Sequence, residues 1–193
     1  MKNKKDLFWI IVSLLAVMAV MVMIFIFSSF EKEKSASQSD LVTEVVVKLI
    51  YPGSVKWDAE KRETVYVSTG SAIRKLAHFG EFMLLGATLM LHLYAVNKAR
   101  RIKNAPVVAF TVGTVYAVSD EVHQLFVEGR SGNSKDVIID TAGVAAGICL
   151  TLFIIWLAGR VSGRASRDPK GKAQGAAQRE ERTESTERSD RGE

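Results

Sequence analysis

The chain has 193 residues with 26 Lys and Arg against 21 Asp and Glu, a formal net charge of +5, and 48% hydrophobic residues. A single cysteine, Cys149, excludes any intramolecular disulfide, and no CxxC, phosphate-binding glycine loop or serine-nucleophile motif is present. The positive charge is scattered over termini and loops rather than gathered on one element, so a nucleic-acid partner is not expected and membrane orientation explains the charge better.

The first element is unambiguous in kind. Residues Leu7–Phe27 ("LFWIIVSLLAVMAVMVMIFIF") carry no charge, over a length that matches the roughly 20 residues a helix needs to cross a bilayer core. A cleaved signal peptide competes with this reading, because Lys2, Lys4 and Lys5 make a basic start and "SAS" at Ser35–Ser37 resembles a small-residue cleavage site. The apolar run is longer than the roughly 7–15 residues of a signal-peptide core, and "SSFEKEK" interposes charges. An uncleaved anchor is the stronger reading.

The segment 28–72 is expected on the outer side. Within it, "SDLVTEVVVKLIYPG" (Ser39–Gly53) offers Ser39 or Asp40 as a cap, apolar Leu41, Val42, Val45, Val46, Leu49 and Ile50 at helical spacing, and a Pro-Gly stop. This predicts an amphipathic helix on the membrane surface or against the bundle. The following "SVKWDAEKRETVYVSTGS" is polar, with Trp57 and Tyr66 as interfacial anchors.

Three further apolar segments, 73–94, 106–126 and 137–157, each approach spanning length. The fold expected is therefore all-α: a polytopic membrane protein of four transmembrane helices over 7–157, an outer amphipathic helix, and a tail over 158–193 too poor in large apolar residues to order itself. Basic residues set the orientation. Lys2, Lys4 and Lys5, the run "NKARRIKN" at Asn97–Asn104, and Arg160, Arg164 and Arg167 fall on one side of a four-helix topology, so both termini, the first being residues 1–6, are expected in the cytoplasm.

Ionisable residues then concentrate at one end of three of these helices. On the second span Arg74, His78, Glu81, Leu85, Thr88 and His92 alternate at spacings of four and three, which is one helical face. Glu81 lies about 12 Å along the helix from Ile73 at 1.5 Å per residue, and an ionisable group at that depth normally faces a bundle interior or cavity. The third span brings Tyr116, Asp120, His123 and Gln124 to the same leaflet on one face, with Glu121 beside it. The fourth re-enters with Asp136 and Asp140, followed on nearly the same stripe by Gly143 and Gly147, a Gly-x-x-x-Gly pattern that permits close helix approach. The turn "EGRSGNSKD" (Glu128–Asp136) adds Arg130 next to the carboxylates, with Ser134 able to cap the next helix.

Four chemistries fit this layer. Ion pairing among Arg74, Lys75, Arg130 and the carboxylates could simply lock helix register. The same basic residues could receive the phosphate or carboxylate of an envelope molecule, since Arg suits bidentate recognition of such groups. His78, Glu81, Asp120, Glu121 and His123 are the candidates for acid/base hydrolysis or transfer. A divalent metal is conceivable on His78, Glu81, Asp120, His123, Asp136 and Asp140, but the spacings are not metal-specific and basic residues would repel a cation. No metal or cofactor is expected on that ground.

Taken together, "IRKLAHFGEFMLLG" (Ile73–Gly86), "SDEVHQLFVEGRSGNSKDVIIDTAGVAAG" (Ser119–Gly147) and, more weakly, "FSS" (Phe27–Ser29) resemble the VanZ-like membrane proteins over about residues 27–157. Phe82, Glu128 and Phe30 stand where that family often has Tyr, Pro and Gln, but none of these changes removes an ionisable member of the layer. The resemblance implies a multi-pass protein of the bacterial cytoplasmic membrane. It carries over, as recurrent polar and ligand-binding positions, Arg74, Lys75, His78, Glu81, Asp120, Glu121, Gln124, Arg130, Asp136 and Asp140. The family's namesake is associated with resistance to the glycopeptide teicoplanin, and no reaction is implied. The expectation is an outward-facing polar pocket for an anionic envelope component, a membrane lipid or lipid-linked precursor. An intramembrane hydrolase or transferase, or a structural, partner-binding membrane protein, stands as the alternative.

Overall fold

A computed structural model describes residues 4–29, 32–100, 104–127 and 134–165 of the chain, and every regular element among them is helical. Five α-helices follow in order: α1 (Lys4–Ser28), α2 (Lys32–Ile50), α3 (Ala59–Arg100), α4 (Ala105–Gln124) and α5 (Ser134–Ala165), with one 3-10 turn at Ser54–Lys56. Three helices are long and apolar enough to cross a membrane: Lys4–Ser28, Ala59–Asn97 and Lys135–Val161. Helix α4 has 20 residues but is less apolar, because Asp120, Glu121, His123 and Gln124 all fall in its last turns.

Two boundaries differ from those the sequence suggested. The second span does not start near Ile73: α3 is continuous from Ala59 and takes up residues 59–72 of the expected polar outer segment. No proline interrupts that stretch, and Asp58 caps it, accepting the Lys61 N–H on Oδ1 at 2.7 Å. Trp57 closes the corner, with Tyr51 at 5.2 Å between ring centroids and the Lys61 ammonium at 5.0 Å from its ring centre. The amphipathic helix also starts earlier than Ser39, as α2, and ends at Ile50 before Pro52, which cannot continue a helix.

The chain forms two compact units, Met1–Leu152 and Phe153–Glu193. In the second, Phe153 stacks on Trp156 at 5.8 Å and the Arg160 guanidinium lies 4.3 Å over the same ring. Of the expected tail, residues 158–165 continue α5, and residues 166–193 lie outside the described residues.

In the first unit the core is a set of helical stripes. Helix α1 contributes Val17, Val20 and Ile24, and α3 contributes Phe82, Leu85, Leu89 and Met90. Helix α4 contributes the small residues Ala105, Ala109, Gly113 and Ala117, four apart, and α5 contributes Val144 and Ile148. The opposite faces of α1 and α4 expose rows of apolar side chains, among them Leu15, Val22 and Phe25 on α1 and Val107, Val115, Val118 and Val122 on α4. Water-soluble monomers rarely expose apolar surface on that scale, whereas lipid covers it without cost. Helix α2 docks on α3 through buried Thr43 and Val47, leaving Leu41, Val45 and Leu49 outward.

Glycine sets the tightest contact. A Cβ built on Gly143 would stand 2.5 Å from the Phe79 carbonyl oxygen, and one on Gly147 would overlap the Met83 carbonyl oxygen. From the other side, a Cβ on Gly86 would overlap the Val144 backbone. The backbones of α3 and α5 therefore touch, an approach that any side chain at these positions would prevent. Val144 also meets α4, where a Cβ on Gly113 would come within 2.6 Å of Cγ1 of Val144.

Overpacking a close contact of this kind costs about 1–3 kcal/mol. Gly147→Ala is accordingly expected to lower stability by that amount in detergent unfolding, whereas Gly80→Ala, whose added Cβ meets nothing within 4 Å, should be neutral or slightly stabilising. Equal effects of the two substitutions would contradict the backbone contact.

Candidate functional site

The polar layer is the continuation of the packing stripes past the core. On α3, His78 lies one turn before the fully buried Phe82; on α4, Asp120 follows Ala117 by three residues; on α5, Asp140 precedes Val144 by four. The faces that close the hydrophobic core thus turn acidic at one common end. Phe82 and Tyr116, with ring centroids 6.2 Å apart, form the boundary between the two regions.

Three helices meet at its centre. A ring nitrogen of His78 and one carboxylate oxygen each of Asp120 and Asp140 all lie within 4.8 Å of one another. Asp120 is oriented by Gln124, whose Nε2 donates to its Oδ2 at 2.9 Å, and both side chains are buried. Nδ1 of His78 is 3.8 Å from Oε2 of Glu81. Asp140 is only 1% exposed, and its Oδ1 has no hydrogen-bond partner among the described residues. The same holds for Oδ1 of Asp136, one turn away on α5.

An ionised carboxylate oxygen out of contact with water and without a donor is among the costlier arrangements a protein can hold. It persists where a proton, a cation or a ligand supplies what the fold does not. Glu81, Glu121 and Asp136 act electrostatically on Asp140 together with Asp120, so the centre is dense in carboxylates.

The expected members do not all converge. His78, Glu81, Asp120, Glu121, Gln124, Asp136 and Asp140 occupy the layer, the last four with Asp120 on the buried or half-buried faces of α4 and α5. His123, expected among the candidate acid/base groups, turns instead to α1: its Nε2 lies 3.0 Å from Oγ of Ser29 and its ring stacks on Phe25 at 4.5 Å. The i to i+3 step from Asp120 to His123 leaves enough angle for the ring to follow the neighbouring helix. Lys75 is exposed. Nη1 of Arg74 lies 3.8 Å from where a Cβ on Gly70 would stand, close to Thr43 of α2. Arg130 and Glu128 lie outside the described residues.

Some contacts escaped the sequence reading. Tyr116 donates its hydroxyl to the Met21 carbonyl at 2.6 Å, and Ser13 and His92 meet at 3.0 Å at the opposite end of the pair α1 and α3. Buried Thr43, four residues from Val47, marks the docking stripe of α2 more faithfully than its large aliphatic residues do. Its one visible signal was spacing.

These features define an α-helical, membrane-type protein with a carboxylate and histidine centre between its helices. The chain belongs to the VanZ/LLP1 family, whose model matches residues 13–156 and so takes in every residue of that centre. No curated protein and no solved structure matches the chain.

The bond from Tyr116 ties α4 to α1 just below the layer. Tyr116→Phe keeps the ring against Phe82 and removes only that bond, so a loss of about 1 kcal/mol is expected in a detergent unfolding titration. An unchanged midpoint would show that the bond contributes nothing.

Proposed function

We propose that the chain is a multi-pass protein of the bacterial cytoplasmic membrane whose intramembrane polar layer binds the charged head of an anionic cell-envelope component, a lipid or lipid-linked precursor. The observation that carries this reading is Asp140, fully buried with a carboxylate oxygen that the described residues leave unsatisfied, beside His78 and Asp120. A layer serving only to hold the helices would be expected to close its own hydrogen bonds. Arg74, and Arg130 from the turn, are the groups assigned to the anionic head, with teicoplanin resistance as the phenotype that family membership suggests.

In this reading α4 also crosses the membrane, third of four spans in chain order, and both termini are cytoplasmic. Support comes from its exposed face, which carries Val107, Phe110, Val115, Val118 and Val122, while Asp120 and Glu121 are turned inward. Twenty residues of helix extend about 30 Å, the thickness of a bilayer core. The convergence of His78 with two aspartates also favours a second reading, in which the same centre performs acid/base-assisted hydrolysis or transfer on the bound molecule.

Two measurements test the proposal. In a Cys149→Ser background, a cysteine placed at Ser131 should react with a membrane-impermeant reagent added outside; labelling only from the cytoplasmic side would reverse the topology. Arg130→Gln and Asp140→Asn should each abolish the chain's effect on teicoplanin susceptibility while the protein still inserts at normal abundance. Loss of stable protein in both variants would instead make the layer a folding lock, and turnover of labelled envelope precursors by the purified chain would select the enzymatic reading.

A further inference from the structure

The ligand proposed above is anionic, yet the centre of the layer is acidic, and one component reconciles the two. We infer that His78, Asp120 and Asp140 hold a divalent cation of the class that accepts both imidazole and carboxylate ligands, zinc or manganese, and that this ion presents the positive charge an anionic headgroup would meet. The inference rests on the reading that the layer binds a ligand.

The first ground is geometry. One ring nitrogen and two carboxylate oxygens, each from a different helix, lie within 4.8 Å of one another. Ligand atoms 2.0–2.2 Å from a metal are at most about 4.3 Å apart, and about 3.4 Å in a tetrahedral site. To reach a tetrahedral arrangement the three atoms need to close by at most about 1.4 Å, a movement within the reach of side-chain torsions.

The second ground is independent of the spacing. Asp140 is 1% exposed and its Oδ1 lacks any partner among the described residues, so it is no member of a completed salt-bridge network and its oxygen is open to a cation. The outer partners fit as well. Gln124 holds the Asp120 carboxylate at 2.9 Å, the kind of support that ligating carboxylates usually have, and Glu81 lies at ion-pair range, 3.8 Å, from the His78 ring.

The position in the fold adds a reason. The backbone contact at Gly86, Gly143 and Gly147 draws α3 and α5 together directly below the cluster, so that His78 and Asp140 are held near each other by the core itself. A ligand set placed on rigid helices needs little further ordering on binding the ion. Among transition metals a mixed imidazole and carboxylate set suits zinc and manganese better than copper(I), which favours sulfur ligands.

The test is metal content of the purified full-length chain in detergent. Protein stripped with chelator, dialysed against zinc or manganese and separated from unbound ion should carry about one equivalent by mass spectrometry of the elements, and its melting temperature should rise with the ion. Asp140→Asn and His78→Gln should lose both the equivalent and the rise, while remaining monodisperse and helical by circular dichroism. Gln124→Leu, which removes the hydrogen bond to Asp120, should weaken affinity by about 10–100-fold, as loss of an outer partner does. Lys56→Gln, exposed on the 3-10 turn and outside the layer, should retain wild-type binding. A wild-type chain that takes up neither ion, or an Asp140→Asn chain that binds as wild type does, overturns the inference. Should the wild type bind no metal while Asp140→Asn still abolishes the susceptibility phenotype, the cation is refuted and the headgroup site stands; if that phenotype also survives, both fail.

Discussion

The contact between the backbones of α3 and α5 governs the rest of the molecule. Gly86, Gly143 and Gly147 remove the side chains that would otherwise separate these helices, and Val144 fills the space toward Gly113 of α4. Three helices are thereby brought together at one level. The centre of His78, Asp120 and Asp140 lies one to two turns beyond that level, on the same stripes, and is half-buried or buried because the stripes are. In a membrane, where apolar side chains gain nothing by leaving lipid for one another, such small-residue contacts are a main source of helix association.

Burial has a chemical consequence. His78, Asp120 and Asp140 meet because Phe82, Ala117 and Val144 pack, and the core leaves them little room to turn toward water. The carboxylates are then under mutual repulsion in a region with few donors. Gln124 relieves Asp120, and Asp140 keeps an unsatisfied oxygen. A site of this kind is costly to the fold, which is why it points to a ligand or a reaction more strongly than a satisfied network would.

The outer elements show a different logic. Helix α2 was legible as an amphipathic helix from Leu41, Val45 and Leu49, but those residues face away from α3, and the docking is made by Thr43 and Val47. Hydrophobic periodicity identifies the helix, and it does not identify which neighbour takes which face when lipid is one of the candidates. The extent of α3 had a similar origin: residues 59–72 belong to a polar outer segment by composition, yet capping by Asp58 and the absence of proline let them form the start of the helix.

Much was already present in the order of residues. Apolar runs over 7–27, 73–94 and 137–157 mark the three spanning-length helices, the Gly-x-x-x-Gly of α5 announces a close contact, and the spacing of His78, Asp120 and Asp140 puts each on an inward stripe. These are one-dimensional properties, set by helical periodicity and by the cost of placing charge in lipid. Tertiary packing alone decided which inward residues meet. It turned His123 to Phe25 of α1 and to Ser29 just beyond that helix, and left Lys75 exposed, because a ring or an ammonium at the margin of a stripe follows whichever neighbour lies within reach. It also joined one residue from each of three helices, 42 and 20 positions apart in the chain, into a single centre, a relation that no local pattern encodes.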